Sequence, residues 1–225
     1  MSVSAGYLET VTMAAVAREV GVNALVNMSQ MTVSQMSIQN TTPSHQQRQH
    51  WLSEQVLAWS GLPVVTIRPT MFLDSFFPLA GPSVRDRGRI ELPFGRGKPS
   101  PVAGAGVARV VAVVLADPGP HVDLIYELTG PRSQDLHGVA REFSDALNRE
   151  VTYSDIPPED WERELKREGL PEHLTGHLVT MREVALGGSG YDRLADGVQR
   201  VTRRPAMSVR EFVSLYTDEF GGRRS

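Results

Sequence analysis

The sequence predicts an α/β fold in which helices cover a parallel sheet, followed by an α-rich C-terminal part. Three observations lead there. Helical periodicity alternates with short β-branched runs through the first third of the chain, with almost no linker between them. One of those runs, VVTI at residues 64–67, is too short for a helix and apolar enough to be buried on both faces, as a parallel strand is. Beyond residue 130 helical patterns dominate and strands are few and short.

In chain order, Leu8, Val11, Ala15, Val16 and Val20 fall at helical spacing, and Gly21 ends that helix where a left-handed residue is favoured. Residues 24–28, ALVNM, form a short strand that stops at Ser29. Residues 30–43 are polar, free of glycine and long for a connection, so a functional or mobile loop is expected. Ser44 caps a second helix; Trp51, Leu52, Val56, Leu57 and Trp59 mostly share one stripe of it, and Gly61 is its expected C-cap. Pro63 opens the strand at 64–67. Arg68 and Pro69 then turn the chain out at the carboxyl end, since proline donates no ladder hydrogen bond. Ligands of open α/β sheets bind outside the carboxyl ends of the strands. Thr70, Met71, Phe72, Asp74, Phe76 and Phe77 leave there, which makes this loop a candidate pocket wall, with Met71, Phe76 and Phe77 assigned to a substrate pocket.

Residues 79–97 read as a loop-rich excursion around an edge strand or hairpin arm at 89–93. Residues 107–115, rich in Ala and Val, fit a strand or a helix on pattern alone. DLIYELT at 123–129 alternates as a strand and is closed by Gly130 and Pro131. Ser133 is the expected cap of a helix to Leu147, whose apolar face is Leu136, Val139, Ala140, Phe143 and Leu147. A strand at 151–153 follows, then helices at 161–168, 172–186 and 208–220.

Composition excludes several functions. The net charge is −3, with 23 basic and 26 acidic side chains dispersed along the chain, which is no footprint for nucleic acid. There is no cysteine, so a thiolate nucleophile, a disulfide or a Cys-ligated metal is ruled out. No apolar run approaches the ~20 residues of a membrane span, and the first residues lack the character of a signal peptide; a cytoplasmic location is the expectation. Five of the six histidines (His45, His50, His121, His173 and His177) raise the question of a metal. Only His173 and His177 have the i, i+4 spacing for one helix face, and the residues LTG between them offer no glutamate base. Two surface histidines and no metal are expected. None of Tyr7, Tyr126, Tyr153, Tyr191 or Tyr216 has a lysine four residues on, which excludes carbonyl reduction by a Tyr–Lys dyad.

The ordered series NALVNMSQ, SGLPVVTIRPTMFLDSFF, SPVAGAGVARVVAVVL, YELTGP and TRRPAMSVREF resembles the NmrA-like proteins, atypical short-chain dehydrogenase relatives that bind NAD(P), from about Thr10 to Phe220. The resemblance implies an NAD(P)-binding Rossmann-like parallel sheet, N-terminally shortened, at residues 1–118, and a substrate-side α-rich region at 119–225, interleaved as one domain. It implies a helix at 107–115, with Gly106 where relatives carry an acidic residue. The strand, glycine-rich turn and helix that hold a pyrophosphate are not encoded: Gly21, Gly61 and Gly81 are isolated, and GGSG at 187–190 follows no convincing strand.

Function follows from the same resemblance: NAD(P)H-dependent oxidoreduction with NADP or NAD as cofactor and a quinone-like small molecule as electron acceptor. A non-catalytic NAD(P)-responsive regulator with a protein partner is the alternative, a homodimer is open, and a third expectation is a shortened homologue that binds no dinucleotide. The matching positions on the nicotinamide side are Ser29, Gln30, Phe72, Leu73, Asp74 and Ser75. His50 occupies the place of a lysine in many relatives. A neutral imidazole there can hydrogen-bond a ribose hydroxyl or pass a proton; the plain alternative is a half-covered histidine on a helix face. Asp74 with Arg68 reads equally as an ion pair, and Glu54 as an exposed helix carboxylate.

Overall fold

The computed structural model describes residues 5–40, 44–187 and 190–222, without the side chains of residues 5–8 and 76–78. Helix α1 (Ala5–Val20) leads to strand β1 (Leu25–Met28), a 3₁₀ turn (Met31–Gln35), α2 (His45–Trp59) and β2 (Val64–Pro69). Two short helices, α3 (Leu73–Phe76) and α4 (Gly81–Arg87), precede β3 (Arg89–Glu91). The chain continues through α5 (Gly104–Ala116), β4 (Ile125–Leu128), α6 (Leu136–Leu147) and β5 (Thr152–Ser154). Helices α7 (Pro158–Arg167), α8 (Glu172–Leu186), α9 (Gly197–Thr202) and α10 (Val209–Leu215) complete it.

Strands β1, β2 and β4 form a parallel sheet with β2 central, Leu25 opposite Val64 and Thr66 opposite Ile125. The period of two decides which helix each strand residue meets. Leu25 and Val64 pack with Ala14 and Ala17 of α1 and Leu57 of α2. Val26, Val65 and Ile67 face the other way, into a cluster with Val107, Val110 and Val114 of α5 and Val198 and Val201 of α9. The central strand is therefore covered on both faces, as its unbroken apolar run requires.

A second core carries the α-rich part. Leu136, Val139 and Phe143 of α6 and Phe212 and Val213 of α10 close on Leu73, Val84, Ile90, Leu92 and Phe94 from the first half of the chain. Strand β3 runs parallel to β5, so it is not a hairpin arm; its partner lies far along the chain.

Several sequence expectations change at their ends. The cap of α6 is Asp135, whose carboxylate accepts from Gly138 N at 2.9 Å, while Ser133 Oγ donates to Asp192 at 2.7 Å. Ser44 does cap α2, accepting from Gln47 N, but the C-cap of α2 is Ser60, and Gly61 follows it with φ +68°. Trp59, placed on the apolar stripe, is 77% exposed. It stands two residues from buried Leu57 and so about 200° round the helix. The excursion at 79–97 contains α4, ended by Gly88 in the left-handed region. The last helix stops at Leu215 and a 3₁₀ turn (Thr217–Phe220) follows. Among the described residues no helix is long and apolar enough to cross a membrane.

Candidate functional site

At the carboxyl ends of β1 and β2 the backbone fixes two adjacent exits. Ser29 N donates to Ile67 O at 2.8 Å and Thr70 N to Leu128 O at 2.9 Å, so the parallel ladder runs on past the strands. The next segment is clamped in turn: Val102 N donates to Met71 O at 3.0 Å and Leu73 N to Val102 O at 2.9 Å. Ser29 and the turn at residues 70–75 therefore stand side by side on one rim.

A cavity of about 290 Å³ opens between that rim, α2 and α8, near the lower end of the range of about 300–1,000 Å³ for small-molecule sites. The rim contributes Met28, Ser29, Gln30, Thr70, Met71, Phe72 and Ser75 to its wall, and α2 contributes Gln46 and His50. From α8 come Leu174, His177, Leu178 and Met181, with Phe94 and Tyr191 behind them. Most of this wall is apolar. Three of the lining residues each carry a buried polar atom without a hydrogen-bond partner: Ser29 Oγ, Gln30 Nε2 and Thr70 Oγ1. Each such group costs about 1–3 kcal/mol while unpaired, which water or a ligand can relieve.

Two histidines meet at the cleft from different elements. Burial lowers the His50 pKa against an opposing pull from Glu54, one turn along α2. His177 is held lower still, at about 4, by burial and then by repulsion from His50. Both imidazoles are neutral at pH 7. His177 Nδ1 lies 3.0 Å from Ser44 Oγ, the capping atom of α2, so the cap of one helix also fixes a ring on another.

The frame around the cleft is ionic. Glu54 is buried, contrary to the expectation of an exposed carboxylate. Both of its oxygens bind Arg68, at 2.9 and 2.5 Å, tying α2 to β2. Arg68 is thus paired with Glu54 and not with Asp74. Arg193 bridges Glu127 at 2.7 Å, Ser34 Oγ at 2.8 Å and Met31 O at 3.1 Å, holding the 3₁₀ turn that follows Gln30 against β4.

Of the positions assigned from sequence, Ser29, Gln30, His50, Met71, Phe72 and Ser75 come together on the cavity. Leu73 does not: it is fully buried in the second core. Asp74 accepts from Gly104 N at 2.6 Å, so its carboxylate serves the first turn of α5. The side chains of Phe76 and Phe77 lie outside the described residues. His173 is exposed, as expected; His177 is not. The signal for His177 was its phase, because Leu174, Leu178 and Met181 share one stripe of α8 with it.

No family model matches the chain. It is 31% identical over 174 residues to the NAD(P)H azoreductase of Xenophilus azovorans, covering 76% of this chain and 59% of that protein. Quinone oxidoreductase 2 of Escherichia coli is 26% identical over 175 residues, 78% of this chain and 60% of that one. The chain thus spans about three fifths of these relatives. Among solved structures, the E. coli NADPH-dependent quinone oxidoreductase superposes with TM-score 0.79 at 23% identity, over 93% of this chain and 73% of that one. The triphenylmethane reductase of Citrobacter sp., complexed with NADP(H), gives 0.77 at 17%, over 93% and 70%. NmrA, a negative transcriptional regulator in complex with NADP, gives 0.70 at 16%, over 92% and 68%. Over the part they share, the chain is similar in sequence to these reductases and similar in fold to them and to NmrA, which supports the resemblance to the NmrA-like, NAD(P)-binding family.

Proposed function

We propose that the cleft holds the nicotinamide half of an NAD(P) dinucleotide and that the protein is an NAD(P)H-dependent oxidoreductase acting on a quinone. One observation supports this above the rest: Ser29, Gln30 and Thr70, which line one largely apolar cavity at the carboxyl ends of parallel strands, each carry a buried, unpaired polar atom. A carboxamide and a ribose supply the donors and acceptors those atoms lack. The fit covers nicotinamide and its ribose. Among the described residues no glycine-rich turn opens a helix toward this cavity, so the pyrophosphate finds no such cradle there.

When bound, the dinucleotide supplies a hydride. The chain's own residues bind, orient and dry the site. In this reading Ser29 and Thr70 bond the ribose or carboxamide oxygens, and Gln30 Nε2 donates to a carbonyl. His50, neutral, bonds a ribose hydroxyl. Phe72, Met71, Phe94, Leu178 and Met181 exclude water and give a planar acceptor an apolar seat. With no Tyr–Lys dyad, rate enhancement comes mainly from holding donor and acceptor close.

Titration with NADPH tests the proposal. Saturation at 100 times Kd adds about 2.7 kcal/mol, worth roughly 2–4 °C of melting temperature per kcal/mol in a chain of this size. A rise of several degrees, with NADPH oxidation in the presence of a quinone, is expected. A flat melting temperature refutes dinucleotide binding. A rise without turnover across a quinone panel would favour a regulator that responds to the dinucleotide, as the likeness to NmrA allows.

A further inference from the structure

We propose that His177 is the hydrogen-bond donor that holds the acceptor's oxygen during reduction, with Ser44 as the residue that positions its ring. The inference rests on the oxidoreductase reading above and adds the group that reading lacks, a donor on the acceptor's side of the cleft.

The geometry is specific. The rim at residues 29–30 and 70–75 carries the unpaired polar atoms, and α8 forms the opposite wall, contributing Leu174, Leu178, Met181 and one polar side chain, His177. Ser44 Oγ accepts Gln47 N–H at 3.2 Å and lies 3.0 Å from His177 Nδ1, to which it can donate its own proton. A ring that accepts at Nδ1 carries its proton on Nε2. Nε2 has no hydrogen-bond partner among the described residues, so it is available to an oxygen in the cavity. Burial and the neighbouring His50 keep the ring neutral at pH 7. A neutral imidazole is a competent electrophile, polarising a carbonyl without giving up its proton.

The step balances. The hydride of reduced nicotinamide dinucleotide brings two electrons and one proton to the quinone, which becomes a hydroquinone monoanion; a proton from solvent completes the hydroquinone. His177 Nε2–H bonds the oxygen on which negative charge develops and ends the step unchanged. The same site reducing a triphenylmethane cation places hydride on a carbocation and generates no anionic oxygen, so that reaction does not call on His177.

Two measurements decide it. Nitrogen-15 spectra of the histidine rings in the full chain, without dinucleotide, should show His177 as the Nε2–H tautomer. Adding 2-methyl-1,4-naphthoquinone should move its Nε2 resonance, and His177→Ala should weaken quinone affinity about tenfold, the effect of one lost net hydrogen bond. An Nδ1–H tautomer, or an affinity unchanged by His177→Ala, overturns the proposal. With NADPH present, His177→Ala should lower kcat for the quinone about 10²–10³-fold, as loss of one oxyanion donor does, and at least tenfold more than for a triphenylmethane cation. Equal losses on both acceptors would reduce His177 to a packing residue. His177→Gln, which keeps an N–H donor, should recover part of the quinone rate, and Ser44→Ala should lose part of it. Absence of NADPH binding would sink the oxidoreductase reading and the role in reduction with it, while tautomer and quinone affinity, read without the dinucleotide, separately decide whether His177 bonds the quinone oxygen.

Discussion

The two cleft histidines also couple the site to stability. His177 titrates at about 4 in the folded chain and near 6.5 when unfolded; His50 is lowered in the same direction. Between those values the unfolded chain binds more protons, so stability is full above about pH 6.5 and is lost as the pH falls toward 4. The charges acting on the pair come from α2: His50 opposes the protonation of His177, and Glu54, bound to Arg68 of β2, opposes the shift at His50. The melting temperature should therefore fall between pH 7 and pH 4, and His177→Gln, which does not titrate, should flatten that slope. Identical slopes for the two proteins would show that His177 does not take up its proton on unfolding. By spacing alone His177 reads as half of an i, i+4 pair of surface histidines, which passes over the apolar stripe it shares with Leu174, Leu178 and Met181. What covers that stripe, α2 and the rim at residues 28–30 and 69–75, is distant in sequence, and no local spacing names it.

At the scale of elements, what was legible followed periodicity. The parallel strands at 64–69 and 125–128 and the helices at 45–59, 104–116 and 172–186 stand where apolar spacing or the resemblance put them. What was not legible depended on partners distant in sequence. Glu54 looked like an exposed carboxylate because its helix is polar around it; the guanidinium that buries it comes from a strand. Helix α5 opens with Ala103, which has no capping side chain, and the cap arrives from α3 instead, where Asp74 Oδ2 accepts Gly104 N–H at 2.6 Å. A carboxylate at that helix N-terminus satisfies an orphan donor and meets the positive end of the helix dipole. Asp74→Ala should thus cost about 1 kcal/mol of stability, the usual value of an N-cap, while NADPH affinity moves less than threefold. A large loss of affinity with unchanged stability would return Asp74 to the cofactor and deny the cap. Helices α4 and α9 escaped the sequence reading because they are one or two turns long and bounded by glycine or proline, too short for an amphipathic pattern to declare itself.

For the whole molecule, the proposed function turns on which half of a dinucleotide the sheet can hold. Strand β2 lies between β1 and β4, and among the described residues no strand pairs with the outer edge of β1. The cleft sits over the carboxyl ends of β1 and β2, where Ser29, Gln30 and Thr70 carry unpaired buried polar atoms, with an apolar wall from α8; in the proposed reading this is the seat of a nicotinamide riboside. Binding of a full dinucleotide elsewhere in doubly wound folds draws on a glycine-rich turn whose backbone N–H groups and helix end receive the pyrophosphate. Among the described residues glycines sit mainly at helix ends and turns, as Gly21, Gly61 and Gly88 do with positive φ. The adenosine half should therefore add little to affinity in this chain. Reduced nicotinamide mononucleotide should bind within about tenfold of NADPH, a difference of no more than about 1.4 kcal/mol, and should protect the fold against melting nearly as well at matched saturation. Calorimetric titration of both ligands into the same preparation gives the comparison. A hundredfold preference for NADPH would mean that the chain grips the adenosine end through residues away from this cleft, and the nicotinamide-centred account of the site would fail with it.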